Sequence, residues 1–396
     1  MNILVQLVHP AHFHYYRKTI DNLKQNGHKV VIAITTKDIL EKIVKDAGYE
    51  YINVMPVSHK STKLGYLYDM IMRNLRILHL CVKHKIDLLT GSSIEISQIG
   101  WLLRKPSINI GEDDANVVGK YINAIAPFVD VRLTPDTCYN GKITKKSVYH
   151  PGYLELGYLH PNHFTPDASV VEAYGIDTTK PYFIMRFASL KAHHDDGIKG
   201  INTEVAQNLV DILSPHGQIY ITSERELEPQ FEPYRIRINP LDMHHVMAFA
   251  SLYIGDSQTM AAEAGVLGTP FVRFNDFVGR IGYLRELEDT YELGYGIHAS
   301  VLTEDSPIRR TDGTLQPSGV EQLYETVKSL VAMPEVVESR KSNVESQSVF
   351  HTRRQQMLHD KIDYAKYLTW FIENYPASAK ETKDNQNNTT FWEQFK

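Results

Sequence analysis

Cysteine is scarce in this sequence, and long hydrophobic runs are absent. The 396 residues include two cysteines, Cys81 and Cys138, which lie in unrelated segments without the spacing of metal ligands. Neither a disulfide framework nor a structural zinc site is therefore expected. No run approaches the roughly 18 to 20 apolar residues that a membrane-spanning helix needs. We expect a cytoplasmic protein without transmembrane helices.

A strong charge excess is also absent, and no secretion leader is expected. The net charge of -5 argues against a general nucleic-acid-binding protein. An apolar strand pattern follows Met1 at once, where a secretion signal would have a basic leader. The apolar content of 42% and charged content of 22% are typical of a globular enzyme, and the length predicts two domains.

Apolar, β-branched runs alternate with segments of helical period along the chain. This pattern predicts stacked βα units and parallel sheets. Predicted strands of the first half cover residues 3–8, 29–34, 86–90, 107–110 and 129–133. Those of the second half cover residues 182–187, 218–222, 235–239, 252–255 and 271–274. The sequence thus predicts an α/β protein with an N-terminal Rossmann-like domain at 1–160, a C-terminal one at 161–345, a helix at 346–376 and a disordered tail at 377–396.

A small-residue turn between a strand and a helix is the most informative segment. It reads GDSQT and consists of Gly255, Asp256, Ser257, Gln258 and Thr259. Backbone N–H groups and the helix dipole favour an anion at such a place, which predicts a phosphate site. Glu263 lies four residues after Thr259 on the same helical face, where it can hold a sugar hydroxyl. The alternative is that Ser257 or Thr259 only caps the helix.

A polar segment, RFASLKAHHDDG at 186–197, follows the first strand of the second half. Arg186 or Lys191 is a candidate to neutralise a diphosphate, and His193 or His194 to transfer a proton near neutral pH. A solvated loop is the alternative. Three further polar residues complete the predicted binding set: Ser189, Ser223 and Glu224.

Two strand ends of the first half also carry ionisable residues. The motif HPAHFH at 9–14 offers His12 as a donor or acceptor contact, but His12 and His14 do not share a helical face, so no metal site is predicted. The motif GEDDAN at 111–116 offers Glu112 and Asp113 as a general base or as ligands of a divalent cation. An ordinary acidic helix start is an equally good interpretation.

Residues 64–85 mix apolar side chains with lysines and arginines. An ordinary amphipathic helix packed on the sheet is the preferred interpretation. Peripheral contact with anionic lipid at the inner face of a membrane is the alternative.

Several of these segments together resemble the GT-B superfamily of nucleotide-sugar glycosyltransferases and non-hydrolysing UDP-N-acetylglucosamine 2-epimerases. Within it, residues 1–300 are similar to a microbial branch known as a conserved domain of unknown function. The resemblance rests on these segments: HPAHFH at 9–14, GH at 27–28, EDD at 112–114, PF at 127–128, PGYLELGYLH at 151–160, RF at 186–187, AHHD at 192–195 and TMAAEA at 259–264.

The resemblance implies two Rossmann-like domains facing across a cleft, with a final helix crossing back to the first domain. It implies that residues 255–259 contact the diphosphate and that Glu263 holds the ribose hydroxyls. The epimerases have a Gly-Gly pair where this sequence has Ser257 and Gln258, and their Arg-x-Glu-Asn motif is not present near residues 188–195. These differences favour a transferase.

The predicted function is transfer of a sugar from a nucleotide-activated donor, UDP-linked, to a glycan or lipid-linked acceptor in surface polysaccharide synthesis. In this hypothesis Arg186 and the turn neutralise the leaving diphosphate, and His12 or Asp113 accepts the proton of the acceptor. No metal or other cofactor is required. An epimerase using Glu112 or Asp113 with His194 is one alternative, and an inactive sugar-nucleotide-binding protein is another.

Overall fold

Two compact units make up the protein. The structure, a computed structural model, describes residues 1–57, 62–188, 200–337 and 348–396. Unit 1 comprises Met1–His163 with Lys361–Lys396, and unit 2 comprises Phe164–Asp360. Each unit contains its own parallel sheet, so the predicted α/β class with two Rossmann-like domains is confirmed.

Unit 1 is built on a seven-stranded sheet in the order β3-β2-β1-β4-β5-β6-β7. Its strands are β1 (Asn2–Leu7), β2 (Lys29–Thr35), β3 (Ile52–Met55), β4 (Leu88–Gly91), β5 (Ser107–Ile110), β6 (Val131–Pro135) and β7 (Ser147–His150). The helices among them are α1 (Pro10–Gln25), α2 (Leu40–Asp46), α3 (Lys63–Lys83), α4 (Ile94–Leu103) and α5 (Gly119–Ile125), with 3-10 helices at Gly141–Lys146 and Leu154–Gly157. Every residue of β4, β5 and β6 is buried, as expected of a parallel sheet covered on both faces.

The sequence did not predict β3 and β7, the two edge strands. Their sequences, INVM and SVYH, interrupt the apolar residues with polar ones, so neither forms an apolar run. The predicted strands at 86–90 and 129–133 are shifted to β4 and β6. Helix α1 begins at Pro10, with the His9 side chain capping it, so most of the HPAHFH motif is helical.

Unit 2 is built on a five-stranded sheet in the order β12-β11-β10-β8-β9. Its strands are β8 (Tyr182–Phe187), β9 (Gln218–Ser223), β10 (Leu252–Gly255), β11 (Phe271–Phe274) and β12 (Gly294–Ile297). Its helices are α6 (Ala168–Glu172), α7 (Thr203–Leu213), α8 (Met243–Ala248), α9 (Gln258–Leu267), α10 (Gly282–Arg285), α11 (Gly319–Val331), α12 (Pro334–Val337) and α13 (Val349–Asp360), with a 3-10 helix at Pro229–Tyr234 and a π-helical turn at Glu286–Thr290.

The predicted strand at 235–239 is wrong, because only Arg235 makes a bridge, to Ile221. Strand β12, with two glycines in four residues, was not predicted.

The C-terminal segment returns to unit 1. The predicted helix at 346–376 is divided between α13 of unit 2 and α14 (Tyr364–Glu373) of unit 1. The predicted disordered tail is wrong, since α15 (Ala377–Asp384) and α16 (Thr389–Glu393) follow. Phe391, Trp392 and Phe395 are buried against the other aromatic rings of this segment, and the ring centroids of Tyr367 and Phe395 lie 5.1 Å apart. Aromatic burial therefore outweighs the polar composition of this tail.

The longest helix, α3, packs on strand β3 and helix α4. No helix in the described ranges could span a lipid bilayer. Cys81 and Cys138 are both buried and unpaired with each other.

Candidate functional site

The turn after β10 opens helix α9 in unit 2. Ser257 is the N-cap residue, and its Oγ accepts a hydrogen bond from the backbone N–H of Met260 over 3.4 Å. Gln258 and Thr259 therefore lie in the first turn of the helix, half-buried. The helix ends at Gly268, whose positive φ of 82° forms a left-handed C-cap.

Gly255 is required by packing at the end of β10. A Cβ there would lie 2.5 Å from the Tyr253 hydroxyl oxygen and 2.9 Å from the Arg186 carbonyl oxygen. The ring of Tyr253 therefore occupies the space of a side chain at 255. Tyr253 is fully buried, and burial raises the pKa of its phenol well above the usual value.

Asp256 joins the ends of three neighbouring strands. Its Oδ1 accepts a hydrogen bond from the backbone N–H of Ala188 over 2.6 Å, and its carbonyl oxygen accepts one from Asn275 Nδ2 over 2.9 Å. The side chain is 3% exposed, and this burial raises the pKa of the carboxyl to about 6. Asp256 thus holds the carboxyl edge of the sheet together.

Glu263 lies on α9 one turn beyond Thr259, as the sequence predicted. It is buried, and its Oε1 is 2.9 Å from Nε2 of His244 on α8. The ring of Phe164 packs edge-on against His244, with the ring centroids 6.3 Å apart. The carboxylate predicted to hold a ribose is therefore fixed by a histidine that sequence reasoning missed.

Arg186 and Glu224, both predicted to bind a ligand, contact each other. Arg186 Nη2 lies 2.5 Å from Glu224 Oε1 at the ends of the paired strands β8 and β9. Ser223 Oγ accepts a hydrogen bond from the backbone N–H of Arg225 over 3.1 Å, so it shapes the turn after β9. Arg186 is also the register partner of Gly255, which places its backbone beside the α9 turn.

Four predicted site residues lie outside the described residues. They are Ser189, Lys191, His193 and His194. Their roles remain predictions.

Sequence reasoning missed two polar residues that lie after strands: His298 after β12 and Asp276 after β11. His298 Nδ1 lies 2.9 Å from the carbonyl oxygen of Ser300 and 3.4 Å from Asp276 Oδ1, and Asp276 Oδ1 also accepts a hydrogen bond from the Ser300 backbone N–H. Both side chains lie at the carboxyl edge of the sheet, where ligands bind in such folds. Asp276 lies two residues after a strand that was predicted, and this signal could have identified it; His298 follows β12, which was not predicted.

In unit 1, the His12 ring lies at the first turn of α1. Its Nδ1 accepts a hydrogen bond from the backbone N–H of Val8 over 3.3 Å. A neutral ring with this contact carries its proton on Nε2. Burial, followed by the charges of His9 and Lys37, lowers the pKa of His12 well below its usual value, so the ring is neutral at pH 7.

The loop after β5 brings Glu112 and Asp113 close to a buried arginine. Arg132 Nη2 donates a hydrogen bond to the Asp113 carbonyl oxygen over 3.2 Å, and Cys138 Sγ donates to the Glu112 carbonyl oxygen over 2.8 Å. Arg132 is 1% exposed, so its charge acts on this loop without solvent screening. A Cβ at Gly111 would lie 2.5 Å from Arg132 Nη2, which explains the glycine.

Tyr15 lies beside His12 and is influenced by the charge of Glu112. Its ring centroid is 5.4 Å from that of His12, and its hydroxyl is 2.7 Å from Ser92 Oγ. Burial, then the neighbouring Tyr16 and, more weakly, Glu112 raise the pKa of Tyr15 well above its usual value. Tyr15 and Ser92 were not singled out from the sequence. Among the described residues, no group of three or more histidine, cysteine or acidic side chains is placed to hold a metal ion.

Solved structures with the same fold include epimerases and glycosyltransferases. The UDP-GlcNAc 2-epimerase from Neisseria meningitidis bound to UDP-GlcNAc is 11% identical, with a TM-score of 0.58 over 91% of this chain and 99% of that chain. The spinosyn forosaminyltransferase SpnP is 12% identical, with a TM-score of 0.59 over 96% of this chain and 99% of that chain. The complex of S. aureus MnaA with UDP is 10% identical, with a TM-score of 0.56 over 94% and 97%.

At these identities the likeness shows the fold, and the predicted GT-B fold is confirmed. No curated protein matches the chain by sequence. A family model described as "Protein of unknown function (DUF354)" matches residues 1–276. Since this match spans more than half of the sequence, the chain belongs to the DUF354 family.

Proposed function

We propose that the protein transfers a sugar from a UDP-linked donor to a glycan or lipid-linked acceptor. The observation that carries the proposal is the pairing of Arg186 with Gly255, which sets a guanidinium-bearing strand end beside the N-terminus of α9. Negative charge builds on the leaving diphosphate during transfer, and both features favour an anion there. The nucleotide ligands of structures with this fold support a UDP-linked donor.

The Arg186 guanidinium contacts the Glu224 carboxylate in the structure. In the proposal, the diphosphate replaces Glu224 as the partner of the guanidinium, because it carries more negative charge than one carboxylate and can also accept two parallel hydrogen bonds from arginine. Glu263 accepts hydrogen bonds from the ribose hydroxyls, oriented by His244. The turn residues Asp256 and Ser257 support this arrangement by holding the strand end and the helix start.

We assign the general base to Asp113, with Glu112 beside it. The base takes the proton of the acceptor hydroxyl, whose oxygen bonds to the anomeric carbon of the donor sugar. The bond from that carbon to the diphosphate breaks, and UDP leaves with the electron pair. His12 serves as a hydrogen-bond donor in this scheme, because its Nδ1 already accepts the Val8 N–H and its proton lies on Nε2.

A turnover assay with a panel of UDP-sugars, with and without glycan and lipid-linked acceptors, tests the proposal. We expect release of UDP that depends on an acceptor, with a glycosylated product seen by mass spectrometry. Asp113→Asn is expected to bind UDP normally and to lose at least about a hundredfold in turnover. Conversion of UDP-N-acetylglucosamine to its manno epimer without an acceptor would establish the epimerase alternative instead. Binding of UDP-sugars without turnover across the panel would favour a sugar-nucleotide-binding protein.

A further inference from the structure

The outward face of helix α3 in unit 1 is apolar. Leu64 is 80% exposed, Tyr68 51%, Ile71 48%, Leu75 52% and Val82 66%. A helix packed on a sheet normally turns polar side chains to water and apolar ones to the core. Helix α3 does bury Ile77, Leu80 and Cys81 in the core of unit 1, but its outward side is apolar as well.

The exposed residues form one continuous stripe. From Leu64 to Leu75 they follow each other at spacings of four and three residues, and Val82 lies two helical turns further on, with the half-buried Leu78 and the exposed His79 between. At 3.6 residues per turn, this spacing keeps all of them on one side of the helix. A contiguous apolar surface of this kind marks an interaction site.

The opposite side of α3 is anchored inside unit 1 by polar contacts. Arg73 Nε lies 2.6 Å from Glu95 Oε1 on α4, and Arg76 Nη1 donates to the Val54 carbonyl oxygen over 2.7 Å. Asp69 is fully buried. These polar contacts and the buried apolar residues of the same side together fix the orientation of the helix, which leaves the apolar stripe facing outward.

Helix α4 extends the same surface. Asn74 Nδ2 donates to Gln98 Oε1 over 3.0 Å, which together with the Arg73 to Glu95 pair joins the two helices. Two further large side chains are exposed at the end of α4: Trp101 (59%) and Leu102 (56%). Leu102 lies two helical turns after Glu95, on the side that faces α3. We call the stripe of α3 together with Trp101 and Leu102 the α3 surface.

Basic residues surround the α3 surface. Lys83, Lys85 and Arg104 are exposed at its ends. Residues 63–105 contain seven lysines and arginines against three acidic residues, although the whole chain has a net charge of -5. Surfaces that bind anionic lipid combine local positive charge with exposed leucine and tryptophan side chains.

We propose that the α3 surface docks on the headgroup region of an anionic lipid bilayer. The stripe and Trp101 enter the boundary of the acyl chains, while Lys83, Lys85 and Arg104 contact lipid phosphates. A second copy of the chain fits less well. A symmetric pairing of α3 with itself needs acidic residues opposite the basic ones, and Asp69, the only acidic residue of the helix, is buried.

This inference is independent of the proposed transfer reaction, because it concerns binding to lipid alone. The test is co-sedimentation of the full chain with vesicles of phosphatidylcholine and with vesicles that also contain phosphatidylglycerol. We expect binding to the anionic vesicles, little binding to the neutral ones, and loss of binding at high salt.

Val82→Glu on the stripe and Val301→Glu in unit 2 are matched variants, since Val82 is 66% exposed and Val301 is 78% exposed. We expect Val82→Glu to weaken vesicle binding about tenfold or more and Val301→Glu to leave it unchanged. Equal unfolding temperatures exclude a folding defect in either variant. Failure to bind anionic vesicles, or equal binding by both variants, overturns the proposal. A dimer in solution that Val82→Glu dissociates, without vesicle binding, overturns it in favour of a second copy.

Discussion

His244 Nε2 lies 2.9 Å from Oε1 of Glu263, and both side chains are buried in unit 2. The contact joins α8 to the second turn of α9. Because a buried carboxyl group is costly without partners, the His244 contact offsets part of the cost of burying Glu263 and limits its rotation. In the proposed function, this pair sets the position of the group that holds the ribose.

Glu263→Ala is expected to weaken UDP binding by about 10-fold to 100-fold, the usual effect of losing a hydrogen bond to a charged group. Calorimetry with UDP and 2′-deoxy-UDP measures it: the wild-type protein should prefer UDP, and the variant should bind both alike. Glu304→Ala serves as the control, because the Glu304 side chain is 89% exposed in the same unit. An unchanged preference for UDP in Glu263→Ala contradicts the ribose contact.

The variants His244→Gln and His244→Phe distinguish a hydrogen bond that positions Glu263 from simple filling of space by the side chain at 244. Glutamine can still donate a hydrogen bond to Glu263, whereas phenylalanine cannot. We expect the preference for UDP over 2′-deoxy-UDP to persist in His244→Gln and to fall in His244→Phe. Equal behaviour of the two variants in the same calorimetric assay would show that His244 acts only by filling space.

Gly111→Ala tests the support of the acidic loop by Arg132. The new Cβ would lie 2.5 Å from Arg132 Nη2, so the guanidinium must move away from the Asp113 carbonyl oxygen. We expect kcat for transfer to fall about tenfold or more, with the donor KM nearly unchanged, because the proposed donor contacts lie in unit 2. Gly119→Ala is the matched control, since its added Cβ meets no atom within 4 Å. A larger effect on KM than on kcat would count against the assigned role of this loop.

Asp256 makes stability depend on pH. Burial raises its pKa from 3.8 to about 6, so the folded protein binds this proton more tightly than the unfolded chain does. The resulting stabilisation is complete below about pH 4 and is lost as the pH rises through 6, a change of about 3 kcal/mol. Unfolding free energies of the wild type and Asp256→Asn should therefore diverge by this amount between pH 4 and pH 7. A constant difference across this range would refute the raised pKa.

His150 has the opposite dependence. It is fully buried beside Tyr364, with ring centroids 4.9 Å apart, and burial lowers its pKa from 6.5 to about 3. The unfolded chain gains the proton first on acidification, so this stabilisation is present above pH 6.5 and is lost as the pH falls towards 3. At pH 5 the loss is about 2 kcal/mol. His150→Phe should remove this component, and the measurement is acid unfolding of the wild type and the variant; unaltered acid sensitivity in the variant would contradict it.

The fold was predictable because strong local patterns carry it. The strands β1, β5, β8, β10 and β11 are rich in large apolar residues, and the alternation of strands with helices implies parallel sheets. The strands β3, β7 and β12 lack such a pattern and were missed. The aromatic residues Phe391, Trp392 and Phe395 are few in a polar tail, so their burial could not be inferred from composition.

The candidate site was predictable only at strand ends. Asp256, Ser257, Glu112 and Asp113 follow strands whose existence is plain in the sequence, and parallel strands end at one edge of a sheet. Their partners Asn275, Cys138 and Arg132 lie 19 to 26 residues away in sequence, and no local pattern links them. Whether residues so far apart in sequence come into contact depends on which strands are neighbours in the sheet.

The sequence by itself determined the α/β class, most strand positions, and the turn and helix that place Glu263. These depend on hydrophobic periodicity, capping and small residues, which act over a few neighbouring positions. Only the tertiary structure decided that Glu263 meets His244, that Arg186 meets Glu224 and that the apolar stripe of α3 faces outward. Arg186 meets Glu224 because β8 and β9 are neighbours in the sheet. Glu263 meets His244 because a carboxylate inside the protein needs a partner, and the fold brings α8 beside α9.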